Sequence, residues 1–188
     1  PYDQSIAHIY NTFLHQHRGE GSLIRAPAEA VVALTTEQGF TLVWCWGTVL
    51  HGFTLVEEGH LERGIAIIKD GIATQQAMGA EFLLVYFLSL LAEAHSRAGH
   101  GAEGVRVVEE ALVKVETTGA RLYEAELYRL KGELLLQKGF QVSSSKTRTS
   151  SIQAEAEAEA CFLKAIAIAQ RQHAKSWELR AATSLARL

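Results

Sequence analysis

The sequence predicts an all-α chain of antiparallel helical hairpins stacked into a solenoid, and three observations carry that prediction. Glycine stands at positions 19, 39, 59, 79, 99, 119 and 139, seven residues spaced twenty apart. A glycine just past a helix adopts the left-handed backbone conformation at little cost, so this ladder reads as one helix C-cap after another. Proline occurs only twice, at Pro1 and Pro27, as suits a chain that is helical almost throughout. Small residues also recur where the two helices of each hairpin would cross. Two helix-plus-turn units make a forty-residue hairpin, and a chain that repeats one hairpin is quasi-one-dimensional.

The elements follow from the ladder. Glycines 19, 59, 99 and 139 separate the two helices of a hairpin, and glycines 39, 79 and 119 separate hairpins. The first helix of each hairpin (helix A) is predicted at about 3–18, 41–58, 81–98, 121–138 and 175–188. The second (helix B) is predicted at about 25–38, 61–78, 102–118 and 155–172. Each holds about 14–18 residues, roughly 21–27 Å of helix. The hairpins are 1–39, 40–79, 80–119 and 120–173, with a partial helix at 174–188, about 4.5 repeats in one domain. The ladder breaks once. Residues 140–153 (FQVSSSKTRTSSIQ) are half Ser or Thr and read as a polar, mobile insertion at the tip of the fourth hairpin, with a conceivable phosphorylation site. Removing them puts His173 in the next ladder position.

Where helices A and B cross closely, a bulky side chain would force the backbones apart. The crossing positions carry Gly52, Ala92 and Gly132 on helix A. On helix B they carry Gly64 and Gly71, then Gly104 and Ala111, then Ala158 and Ala165. A large residue, Ile68, Val108 or Phe162, sits between each small pair. The first hairpin departs from this pattern, with Thr12, Ile24 and Val31 at the small positions.

The bulk composition narrows the function. Apolar residues make up 48% and mean hydropathy is +0.04, as expected when inner helices are covered on several sides. A net charge of −3 and a pI near 6.3 give no general affinity for nucleic acid. Lys164, Arg171, Lys175, Arg180 and Arg187, against Glu178, make the last segment locally basic, which reads as a solvated helix face. Cys45 and Cys161 lie far apart in helical patterns, so a reducing cytoplasm is expected rather than a disulfide framework. The apolar run at 40–56 contains Gly47, His51 and Gly52 and is shorter than the roughly 20 residues of a spanning helix, so no membrane association is expected. The chain opens without Met and stops within a helical pattern, and is expected to be part of a longer protein.

Apparent chemistry reduces to repetition. Residues 99–104 spell G-x-G-x-x-G, but a dinucleotide fingerprint needs a preceding strand, and the text before it has helical length and pattern. His8 and His15 share a helix face, His17 points elsewhere, and nothing completes a metal set. His60 and His100 recur at equivalent turns. Glu57–Glu58 and Glu109–Glu110 are adjacent in sequence and splay about 100° apart on a helix, which is not the geometry of an acid–base pair. The expectation is a chain that is not an enzyme and carries neither cofactor nor metal.

The small–large–small register resembles tetratricopeptide repeats, with each helix about one turn longer than in the standard repeat of about 34 residues. That resemblance implies a right-handed superhelix. The strings EAELYRLKGELLL at 124–136 and KSWELRAATSLARL at 175–188 resemble the helical-repeat C-terminal region of large bacterial signalling ATPases. Many of these also carry an adenylate or guanylate cyclase domain. Repeats of maltose-regulator-type transcriptional activators are a looser resemblance. The chain holds no phosphate-binding loop or cyclase motif, so the resemblance implies only a regulatory module of a multidomain protein.

In tetratricopeptide arrays the A helices line the concave groove. That frame places Trp46, Phe53 and Glu57 there from the second hairpin, and Tyr86, Ser89, Glu93 and Arg97 from the third. It adds Glu126, Arg129, Glu133 and Gln137 from the fourth, then Arg180, Thr183 and Arg187. Aromatic residues at one end and charges at the other suit an amphipathic peptide. The competing reading is that Glu93, Arg129 and Glu133 pair with one another and that Trp46 is core. The leading function is a non-catalytic protein-interaction scaffold that docks a peptide segment or another domain of its parent. The alternative is a region that senses a small-molecule inducer. Self-association through Leu179, Ala182, Leu185 or Ala186 is a third expectation.

Overall fold

A computed structural model describes the backbone of residues 1–143 and 148–188, and the side chains of these except Ser22 and residues 140–143 and 148–151. The described residues form nine α-helices and no strand: α1 Tyr2–His17, α2 Arg25–Gln38, α3 Thr41–Glu57, α4 Leu61–Ala77, α5 Leu84–Arg97, α6 Gly101–Thr118, α7 Glu124–Ser143, α8 Arg148–Arg171 and α9 Lys175–Ala186. The chain divides into two compact units, Pro1–Phe87 and Leu88–Leu188, with the division inside α5.

Six of the seven ladder glycines, Gly19 to Gly119, have φ between 68° and 90°, the left-handed conformation that ends a helix. At Gly119 the backbone N–H donates to the Val115 carbonyl at 2.9 Å, satisfying one of the orphan acceptors of the last turn. His173 takes the same conformation at φ 54°, in the ladder position expected of it. The residue after the turn also repeats in conformation. Phe40, His60, His100, Ala120 and Ala174 all have φ from −78° to −89° and ψ from 59° to 76°. The twenty-residue period is therefore present in the backbone itself.

Gly139 departs from the expectation. It lies inside α7, outside the left-handed set, and the chain does not reverse there. Its lack of a side chain serves a different purpose: a Cβ at this position would stand 2.6 Å from the Ala154 Cβ of α8. Residues 140–143 continue α7 and α8 begins at Arg148, so helix takes up much of the segment expected to be a loop. Residues 144–147 and the candidate phosphorylation side chains lie outside the described residues.

A second departure sits before α5, which starts at Leu84 rather than near residue 81. Leu83 is left-handed at φ 62°. The buried Gln75 side chain braces this bend from α4, its Nε2 donating to the Ala80 carbonyl at 3.1 Å and the Phe82 carbonyl at 2.6 Å.

In the first unit α1 packs on α2, α2 on α3, and α3 most extensively on α4. At the α3–α4 crossing a Cβ on Gly64 would fall 2.6 Å from the Gly52 carbonyl oxygen and 2.5 Å from Val56 Cγ2. Ile68, between the small pair, is fully buried. Gly47 makes a further close approach, where a Cβ would lie 2.5 Å from Val31 Cγ1 of α2. Thr12, Ile24 and Val31 are all buried, and the Thr12 hydroxyl donates to the His8 carbonyl at 2.7 Å, which satisfies it within its own helix. The apolar run at 40–56 is the wall of this core, and no described helix is long and apolar enough to cross a membrane.

In the second unit α7 packs on α6 and α8, and α9 packs on α8 and α7. Phe162 is fully buried opposite Gly132, whose added Cβ would meet the ring at 2.5 Å, and Gly104 admits the Leu134 side chain. Ala111, Ala158 and Ala165 are likewise fully covered.

Two stability measurements test this account. Gly64→Val drives a branched side chain into the Gly52 carbonyl and is expected to cost about 3 kcal/mol in urea denaturation. His173→Gly removes the roughly 1–2 kcal/mol penalty of a left-handed L-residue at an exposed turn, partly offset by glycine's backbone entropy, for a net gain of roughly 0.5–1 kcal/mol.

Candidate functional site

The A-helix residues expected to line a groove meet different fates in the two units. In the first unit they are buried or half-buried. Phe53 and Tyr86 are each 2% exposed and Trp46 is 9% exposed. The Tyr86 ring receives the edge of Phe13 at 5.2 Å and stacks on His17 at 5.7 Å, and its hydroxyl donates to Gln16 Oε1 at 3.2 Å. Side chains of α1 thus cover the first turn of α5. Trp46 packs against Phe82 at 5.6 Å, and its indole N–H is buried without a hydrogen-bond partner. Glu57 is half-buried beside Gly21, where an added Cβ would run into its carboxylate.

In the second unit four of the expected residues come together around Arg129. Its Nε and Nη2 donate to the two oxygens of Glu126 at 2.9 and 2.6 Å, a bidentate pair in which both side chains are more than nine-tenths buried. Its Nη1 donates to Glu133 and, at 3.5 Å, to Ser184 Oγ, which itself donates to Glu133 Oε1 at 2.9 Å. Arg180 from α9 reaches Glu126 Oε1 at 2.9 Å. The i, i+3 and i+4 spacing of Glu126, Arg129 and Glu133 puts all three on one face of α7, and α9 supplies the rest.

Burial alone would push the Arg129 guanidinium downward. The hydrogen bonds and charge of Glu126, with the charges of Glu133 and Glu93, overcome this and hold it above its ordinary value. Bidentate geometry is what makes so buried a pair tolerable, because desolvation of each ion costs several kcal/mol.

Of the remaining expected residues, Glu93 adds its charge at Arg129. Ser89 is buried. Glu93 and the exposed Arg97 pair at 2.9 Å. Gln137 Nε2 donates to the Ser96 carbonyl and hydroxyl, both at 3.0 Å, while its Oε1 is buried without a partner. Thr183 is exposed and donates to the Leu179 carbonyl at 2.8 Å, and Arg187 is exposed.

The sequence reading missed Ser184 and Trp177. Trp177 lies 6.0 Å from Tyr123, whose hydroxyl is pushed up to about 12 by burial, and 5.3 Å from the Arg180 guanidinium. A signal existed for both. Trp177, Ala181 and Ser184 recur at helical spacing on one face of α9, the face on which Ala181 is buried.

Two carboxylates, Glu126 and Glu133, and two guanidiniums, Arg129 and Arg180, are thus joined in one network between α7 and α9. The arrangement suits positioning and recognition of charge. Among the described residues no group of three His, Cys, Asp or Glu could hold a metal ion. Cys45 and Cys161 are free thiols, each raised by burial. Gly99 and His100 of the G-x-G-x-x-G segment lie in the turn between α5 and α6, and residues 101–104 open α6, so helix rather than strand precedes the segment.

No protein-family model matches the chain, and a search of the curated proteins finds no match.

Removing Glu126 leaves Arg129 buried with less counter-charge, so Glu126→Ala is expected to cost about 3–5 kcal/mol. The double variant Glu126→Leu/Arg129→Met should cost less than Glu126→Ala alone, and a double-mutant cycle in urea measures the coupling.

Proposed function

We propose that the chain is a tetratricopeptide-like array that acts as a non-catalytic docking scaffold, a regulatory module of a multidomain bacterial signalling ATPase or cyclase working in the cytoplasm. The observation that carries this reading is the A-helix side of the second unit. Glu126 and Arg129 pair within α7, Arg180 and Ser184 tie that pair and Glu133 to α9, and Arg97, Arg180, Thr183 and Arg187 are exposed. A rigid buried pair framed by accessible cations and half-buried carboxylates suits a partner segment bearing both charges. In the first unit Tyr86 is covered by Phe13, Gln16 and His17 of α1, so the reading rests on the charged residues of the second unit.

A second reading has its own support. Trp46 Nε1, Thr48 Oγ1 and His51 Nδ1 on α3 are buried polar atoms without partners, and a small polar ligand or ordered water would satisfy them. A metabolite thermal-shift screen tests it, since a ligand at about 100 times its Kd stabilises by about 2.7 kcal/mol.

The scaffold reading is tested by fluorescence anisotropy with amphipathic peptides of mixed charge. Micromolar binding is expected, weakened about tenfold by Arg187→Glu or Glu133→Lys and by added salt. Binding unaffected by both substitutions, or specific stabilisation by a metabolite alone, counts against it.

A further inference from the structure

We infer that the outward face of α9 seats an amphipathic helix carrying the same small–large–small register as the chain's own B helices. The ladder aligns α9 with the earlier A helices: His173 takes the place of Gly39, so Leu179, Thr183 and Ala186 correspond to Cys45, Val49 and Gly52 of α3. The same positions in α7 are Ala125, Arg129 and Gly132.

Within the first unit, that face of α3 is where α4 lies. Cys45 and Val49 are fully buried, a Cβ on Gly71 would stand 2.8 Å from Val49 Cγ2, and a Cβ on Gly52 would stand 2.9 Å from the Gly64 carbonyl. Within the second unit, Ala125 is 1% exposed and Gly132 receives Phe162 of α8. On α9 the equivalent face is bare: Leu179 is 69% exposed, and Ala182, Thr183 and Ala186 are exposed beside it. The opposite side of α9 is already used, with Ala181 buried and Ser184 bonded to Glu133 of α7.

The bare face therefore continues an interface that the chain makes elsewhere with defined geometry. Ala186 stands at the crossing position that Ala92 fills in α5, where it is fully buried, and its single methyl sets a partner backbone slightly farther off than Gly52 does. The occupant it fits is an antiparallel helix of about the length of α4, 17 residues, with small residues seven apart and a large apolar residue between them, as in Gly64–Ile68–Gly71 and Ala158–Phe162–Ala165. A helix lacking the small residues is held off by its own side chains.

The probe is a labelled, amidated peptide of residues 60–79 titrated against the whole chain by fluorescence anisotropy. Saturable binding is expected, weakened at least about tenfold by Ala186→Leu or Leu179→Glu in the chain and by Gly64→Leu in the peptide. Both chain positions are exposed, and circular dichroism checks that the variants stay folded. Binding indifferent to these substitutions, or no binding at about 1 mM peptide, overturns the inference. So does light scattering that finds a dimer dissolved by Ala186→Leu, because the face then belongs to a second copy.

Discussion

Close approach of paired helix backbones is the constraint on which the rest depends. Where α3 crosses α4, Gly52 and Gly64 leave each backbone within van der Waals reach of the other, with Ile68 filling the space beside them. The same device brings Phe162 onto Gly132 in the second unit. Helices of ordinary composition pack about 8–10 Å apart, and a side chain at the contact sets that distance. Removing the side chain at one chosen position lets two helices lock in a single register. The apolar residues around the crossing are then buried by geometry already fixed, which is how each of the two units builds its core.

The sequence was most informative where a residue type has one physical use. A glycine at left-handed φ is hard to replace, so the ladder located the chain reversals to within a residue or two. It even predicted that His173 would stand in for a missing glycine. It failed at Gly139 because glycine also has a second use, close helix contact, and spacing alone does not separate the two. The crossing residues in α3–α4 and α7–α8 were legible for the same reason. The first hairpin was not, because Thr12 reaches the same burial by returning its hydroxyl to its own helix.

The candidate site was legible only in part. The i, i+3 and i+4 pattern of Glu126, Arg129 and Glu133 announces a charged stripe on one helix. It does not say that α9 will bring Ser184 and Arg180 to complete it, since that depends on how two helices rotate against each other. The aromatic positions show the opposite limit. Trp46, Phe53 and Tyr86 have the composition of a recognition surface, but all three are buried, Tyr86 under Phe13, Gln16 and His17 of α1 and Trp46 against Phe82. Nothing in the local pattern of α3 or α5 encodes what a helix some seventy residues away will do.

The bend at Leu83 has a mechanical consequence. Its geometry is propped by Gln75, a side chain anchored wholly inside the α4 packing and fastened to two carbonyls of the turn. One buried amide thus ties the turn before α5 to α4 and holds the unfavourable torsion of Leu83 in place.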